Sequence, residues 1–277
     1  MTGKPVTRVA ALAISLVYRV IAPVLRSLGW ESASGGPIVV LTYHGIGANE
    51  VAMFEWQMQY LREHVRPVFP DSDASSSSDR QRVAVTFDDA FQSVIDRALP
   101  ILERYEIPAT IFVPTGYMGR LPGWVPEQKQ RSLGLVASAE TLGRLRSDLI
   151  RLGSHSVSHP RLGRLEKTAL DTELTASRRA LEGLGQEPVA MLALPYGSYA
   201  RDVLEAASHA GYERVFANVP VAGERAGNSR LVGRVDVSPQ DWPLEFKLKA
   251  TGAYEWMSFA LPVKRAIVGA LSPQNAS

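Results

Sequence analysis

Seven short apolar runs recur between residues 38 and 237: Ile38–Thr42, Val83–Thr86, Ala109–Val113, Ile150–Gly153, Val189–Leu194, Arg214–Ala217 and Arg234–Val237. Their length and β-branched content read as strands, and a continuous rather than alternating run reads as a strand buried on both faces. Between several of them the period lengthens to that of a helix. Phe54, Met58 and Leu61 keep helical spacing, and Val94, Leu99 and Leu102 keep it with some slippage. Leu170, Leu174, Leu181 and Leu184 outline a longer helix closed by Gly185, and Val203 to Ala210 another closed by Gly211. Strands alternating with helices predict a mostly parallel sheet. In barrels of this kind the chemistry gathers at the carboxyl ends of the strands.

The first thirty residues follow a different pattern. Apolar residues dominate Val9–Leu25, interrupted by Arg19 and flanked by Lys4, Arg8 and Arg26. On a helical wheel Arg8, Ser15, Arg19 and Arg26 fall within about 40° of one another, with Lys4 just beside them. One basic stripe against a wide apolar face predicts a helix lying in a membrane interface. A spanning helix needs about 20 mostly apolar residues, and Arg19 and Pro23 argue against one. A signal peptide with Val9–Tyr18 as its apolar core is a competing reading, as is a plain docking helix. The expectation is a peripheral membrane protein, or a secreted or periplasmic one if residues 1–30 are a signal peptide. Asp71–Arg82 reads as a solvated, serine-rich loop. At the other end Trp256, Met257, Phe259, Leu261, Val263, Ile267 and Val268 accompany Lys264 and Arg265, a tail expected to pack on the barrel, with a second membrane contact as the alternative.

Composition narrows the chemistry. The 277 residues include no cysteine, so disulfides, thiolate metal sites and cysteine nucleophiles are excluded, and any metal must use histidine and carboxylate. Hydrophobic residues at 45% and charged residues at 21% describe an ordinary globular chain. A formal charge of +2, with no basic stripe interleaved with aromatics, gives no sign of a nucleic-acid partner.

Two stretches carry candidate chemistry. Thr86-Phe87-Asp88-Asp89 ends a buried strand in two adjacent carboxylates, and His155-Ser156-Val157-Ser158-His159-Pro160 offers two imidazoles that one helical turn would place on the same face. Two imidazoles and one carboxylate make a three-ligand set that leaves a metal position open, and the second carboxylate is free to act as a base.

These motifs resemble those of the polysaccharide deacetylases, the NodB-homology group known as carbohydrate esterase family 4. The family's TFDD is matched by Thr86–Asp89 and its H-[ST]-x-x-H-[PS] by His155–Pro160. Its R-x-P-[YW]-G is matched in part by Ala193-Leu194-Pro195-Tyr196-Gly197, with Ala193 in the place of the arginine. That departure, and the segment Leu41-Thr42-Tyr43-His44-Gly45, resemble the branch acting on poly-N-acetylglucosamine. The resemblance implies an α/β fold, a distorted (β/α)7 barrel over residues 36–245. It would be flanked by the membrane-associating or signal-like segment 1–35 and a helical tail, 246–277.

It also implies roles. Asp88 would be the catalytic base, and Asp89, His155 and His159 would hold one divalent metal ion, zinc first, with cobalt, nickel or iron fitting the same ligands. Members of the family usually draw an acid from a late histidine, but this chain has no histidine after His209. His44, at the end of the first strand, takes that place as in the poly-N-acetylglucosamine branch. The backbone N–H of Tyr196, after Pro195, would stabilise an oxyanion. Trp242 and Trp124 are candidates for stacking on a sugar, and Arg234 for orienting Asp88 in place of the missing arginine. His64 and His209 read as surface residues. The implied activity is removal of N-acetyl groups from N-acetylhexosamine units of a polysaccharide or lipid-linked glycan. The competing readings are a catalytically silent carbohydrate-binding relative and a membrane scaffold.

Overall fold

A computed structural model of the chain describes residues 5–27, 38–72, 80–145, 147–185, 189–197, 200–218 and 231–257. Its sheet contains β1 (Ile38–Tyr43), β2 (Arg66–Pro67), β3 (Arg82–Phe87), β4 (Ala109–Val113) and β5 (Ile150–Ser154). It continues with β6 (Met191–Ala193), β7 (Arg214–Ala217), β8 (Leu231–Gly233) and β9 (Val235–Asp236). The spatial order is β8-β7-β6-β5-β4-β3-β1-β9, with β2 beside β3, and every pairing is parallel. The two ends of this row, β8 and β9, are consecutive in the chain and separated by Arg234 alone. The sheet therefore rolls into a nearly closed barrel whose seam is that residue, the distorted barrel anticipated from the motifs. Arg234 precedes the last strand instead of opening it, and β2 and β8 are additions to the seven expected strands.

Eight α-helices are described: α1 (Pro5–Ser27), α2 (Val51–His64), α3 (Leu99–Arg104), α4 (Glu127–Leu133), α5 (Ala139–Gly143), α6 (Lys167–Glu182), α7 (Arg201–His209) and α8 (Pro243–Ala250). The slippage between Val94 and Leu99 has a simple cause. Val94–Ala98 is a π-helical turn running into α3, which adds one residue to the period and keeps Val94, Ala98 and Leu102 buried.

Strand alternation sorts the core into two layers. Val39, Leu41, Val83, Val85 and Phe87 point outward into the large cluster under the helices, while Val40, Ala84, Phe112, Met191, Ala193 and Phe216 fill the barrel interior. Gly153 belongs to the inner set, because a Cβ there would lie 2.5 Å from the Phe112 ring. The inward parity of Ala84 and Thr86 continues to Asp88, and that of Gly153 to His155. Both functional side chains are thereby delivered to the mouth of the barrel.

The expected boundary after residue 245 falls inside α8, whose Phe246 and Ala250 belong to the main core. The orientation of α1 also differs from the expectation. The described part of its basic stripe is turned toward the protein: Arg8 donates to Glu245 at 2.6 Å and to the Gln240 carbonyl at 2.9 Å, and Arg19 to Thr251 at 2.7 Å. Ser15, on the same stripe, is buried and accepts from the Trp256 indole at 2.8 Å. No helix among the described residues is long and apolar enough to cross a membrane. Lys4, the Arg26 side chain, residues 73–79 of the serine-rich stretch and the tail beyond Met257 lie outside the described residues.

Candidate active site

The site is assembled at the carboxyl ends of β1, β3, β5 and β6. Asp89 follows Asp88 in the left-handed backbone region at φ 69°, which turns its carboxylate aside from the strand's alternation. The two imidazoles meet through a loop instead of the helical turn expected from their spacing. His155, the residue after β5, keeps the strand's inward direction, and Ser156 and His159 then adopt φ of 63° and 58° to bring the second ring back. Side chains hold this loop. Glu173 on α6 accepts from the backbone N–H of Val157 and Ser158 at 2.8 and 2.9 Å and from the Ser158 hydroxyl, and Ser156 Oγ accepts from the His159 N–H at 3.2 Å. Non-glycine residues in the left-handed region recur here, Tyr196 included at φ 58°. Such strain collects where the surroundings over-determine a functional geometry.

Asp89, His155 and His159 are all buried, with one ligand atom of each within 4.8 Å of the others. The Nε2 atoms of His155 and His159 lie 3.6 and 3.3 Å from Asp89 Oδ1, matching the separation of about 3.3 Å between donors around a tetrahedral ion. Asp89 Oδ1 is buried and has no hydrogen-bond partner among the described residues. A buried carboxylate oxygen in that position needs a cation to offset its desolvation. His155 Nδ1 donates to the Ala193 carbonyl at 2.8 Å, which fixes the tautomer and leaves Nε2 with a free lone pair. Burial pushes the His155 imidazole down to about 4, so the ring is neutral and ready to ligate. The donor set fits a divalent metal.

Asp88 is buried beside this triad and gripped by Arg234, whose Nη1 and Nη2 donate to its two oxygens at 2.6 and 2.7 Å. Burial raises the Asp88 carboxyl, but the charge and hydrogen bonds of Arg234 outweigh it and hold the group well below the usual carboxylate range. Arg234 also donates to Asn218 Oδ1 at 2.6 Å, and its side chain is itself fully buried. His44 stands one residue beyond the paired Tyr43 and Phe87, on the strand next to Asp88, with an exposed side chain.

Aromatic rings surround the histidines. Trp124 stacks on His159 at 4.4 Å, and Tyr196 meets the same ring edge-on at 4.8 Å under the Arg161 guanidinium. Pro195 is buried, while Tyr196 is 47% exposed and faces the opening. Trp242 is 43% exposed, and one face of its ring is covered by the Arg8 guanidinium at 4.4 Å. His64 and His209 are exposed. Sequence reasoning missed Glu173, Asn218 and Arg161. Each is a polar residue in an ordinary helix or loop setting, and only the tertiary fold gives it a site to support.

The family model for polysaccharide deacetylases matches residues 75–215. The chain is 25% identical over 211 residues to the curated protein YxkH of Bacillus subtilis, covering 72% of this chain and 71% of that one. It is 24% identical over 200 residues to the poly-β-1,6-N-acetyl-D-glucosamine N-deacetylase of Staphylococcus aureus, covering 68% and 67%. Among solved structures it is similar to IcaB from Ammonifex degensii, with a TM-score of 0.64, 25% identity and coverage of 78% of this chain and 98% of that one. The chain belongs to the polysaccharide deacetylase family.

Proposed function

We propose that this protein is a metal-dependent hydrolase removing N-acetyl groups from N-acetylhexosamine units of a polysaccharide or lipid-linked glycan. One observation carries the reading: three buried donors converge within 4.8 Å around an unpartnered Asp89 oxygen, next to a second carboxylate clamped by Arg234. A binding protein gains nothing from burying that much uncompensated polarity. Zinc is the first choice for a two-nitrogen, one-oxygen set with an open position, and cobalt, nickel or iron accept the same donors. When bound, the ion would polarise the acetyl carbonyl and acidify a water molecule. The remaining work falls to the chain. Asp88, kept ionised with both oxygens oriented, takes the proton from the attacking water. His44, across from it on the neighbouring strand, delivers a proton to the departing amine. The Tyr196 N–H, in its left-handed turn, donates to the developing oxyanion. Trp124 and Tyr196 offer an aromatic wall for the sugar or its acetyl methyl group.

The staphylococcal relative is named for poly-β-1,6-N-acetyl-D-glucosamine, so that polymer and chitooligosaccharides are the first substrates to test. Metal-loaded protein should release acetate, and a chelator should abolish the release. His155→Ala should lose the metal. Asp88→Asn should keep it and lose turnover, and His44→Ala should lower turnover by about 10²–10⁴ with the metal retained. No acetate from metal-loaded protein across the panel would refute the activity. Undiminished metal content in His155→Ala would refute the ligand assignment.

A further inference from the structure

An amphipathic helix on a soluble body normally buries its apolar face and shows its polar face to water. Helix α1 does the reverse. Arg8, Ser15 and Arg19 engage α8 and the residues after it, through the contacts described above. The opposite arc is left bare: Val9 is 53% exposed, Ile14 46%, Leu16 40%, Val17 57%, Val20 74% and Ile21 44%. With 100° per residue these six lie within about 160° of one another, and between Val9 and Ile21 that arc contains no polar side chain.

We propose that α1 is an in-plane membrane anchor, which lays this arc into the headgroup–acyl boundary of a bilayer while the deacetylase body is mounted on its polar face. Two observations favour lipid over a second copy of the chain. The exposed parts of the six side chains total on the order of 500 Å², short of the ~800 Å² per partner of a standard protein interface. Protein interfaces also carry about one hydrogen bond per 100–200 Å², whereas this arc offers no side-chain donor or acceptor, and hydrocarbon requires none. The attachment is specific as well. Arg8 sits level with Gln240 and Glu245, just past the carboxyl end of β9, and Arg19 sits level with Thr251 at the far end of α8. The helix therefore runs down the side of the barrel from the catalytic rim. The mouth then opens along the bilayer surface, within reach of a glycan lying on it.

Because Arg8 and Arg19 are committed to the protein, apolar insertion carries the binding, and salt should change it little. Co-sedimentation of the full chain with phosphatidylcholine vesicles, with and without anionic lipid and at low and high salt, tests this. Binding to neutral vesicles that persists at high salt is the expected result. V17D/V20D, which changes two exposed positions, should lower partitioning at least about tenfold with an unchanged thermal melt. Absence of vesicle binding would overturn the proposal, and so would binding that needs anionic lipid and vanishes at high salt. Wild-type-like binding by V17D/V20D would do the same. A chain that is dimeric in solution and made monomeric by V17D/V20D, without binding vesicles, would assign the arc to a second copy instead. None of these readouts depends on acetate release, so failure here is distinct from failure of the enzymatic reading.

Discussion

Asp88 and Asp89 share a side-chain chemistry and part company through one backbone angle. Asp88 continues the inward parity of β3 and meets Arg234, while Asp89, at φ 69°, turns to the histidines. In the proposed mechanism Arg234 is then the residue on which Asp88 depends as a base. Lysine at this position would keep the charge but lose the planar fork that holds both carboxylate oxygens. Arg234→Lys should therefore retain the metal and lower kcat at least about tenfold, with a smaller change in KM. Steady-state kinetics beside metal analysis checks this, and wild-type kcat would remove Arg234 from the positioning role. Asp89, His155 and His159 were legible in the sequence because they sit in compact motifs. Arg234 was legible only as a substitute for an arginine missing at Ala193. Its pairing spans 146 residues and exists only because the barrel closes at that point.

At the scale of elements, hydrophobic runs located the core strands because parallel strands buried on both faces are continuously apolar. β2 is Arg66-Pro67, and β8 is Leu231–Gly233 hemmed in sequence by Arg230 and Arg234, so neither shows such a run. The spacing of His155 and His159 fits a helical turn equally well. The loop that forms instead depends on Ser156, Glu173 and two left-handed residues, which no periodicity encodes. The same scale gives a stability prediction. Gly153 lies inward on β5 against Phe112, with a flanking backbone oxygen, Met191 O, 3.1 Å from where a Cβ would stand. Gly153→Ala must displace that ring within a filled barrel, and should cost about 1–3 kcal/mol. Chemical denaturation measures it. Because His155 follows two residues later, metal affinity should fall in the same variant. A stability equal to wild type would mean that the interior has room the packing does not show.

For the whole molecule, the question is what holds α1 with its polar side inward. Arg8 contacts Glu245 at 2.6 Å and Asp241 at 3.8 Å, and Lys249 contacts the same two carboxylates at 3.1 and 2.7 Å. Two bases and two acids balance at a site where Asp241, Glu245 and Lys249 are all buried. Burial raises the Asp241 carboxyl despite the Lys249 charge beside it, so this acid needs its cationic neighbours. Removing Arg8 leaves two carboxylates sharing one ammonium. Arg8→Ala should cost about 1–3 kcal/mol, less than orphaning a fully buried pair, because the Arg8 side chain is 25% exposed and water relieves part of the loss. The loss should be local. Residues 5–27 should become sensitive to protease while the barrel, whose core does not include Arg8, keeps its cooperative unfolding. Limited proteolysis with mass spectrometry, beside denaturant unfolding, separates the two effects. If residues 5–27 stay protected and stability is unchanged, the ion cluster is not what fastens the helix, and its other contacts, among them Trp256–Ser15, Arg19–Thr251, Tyr18–Glu255 and the packing of Ala11 and Leu12, suffice.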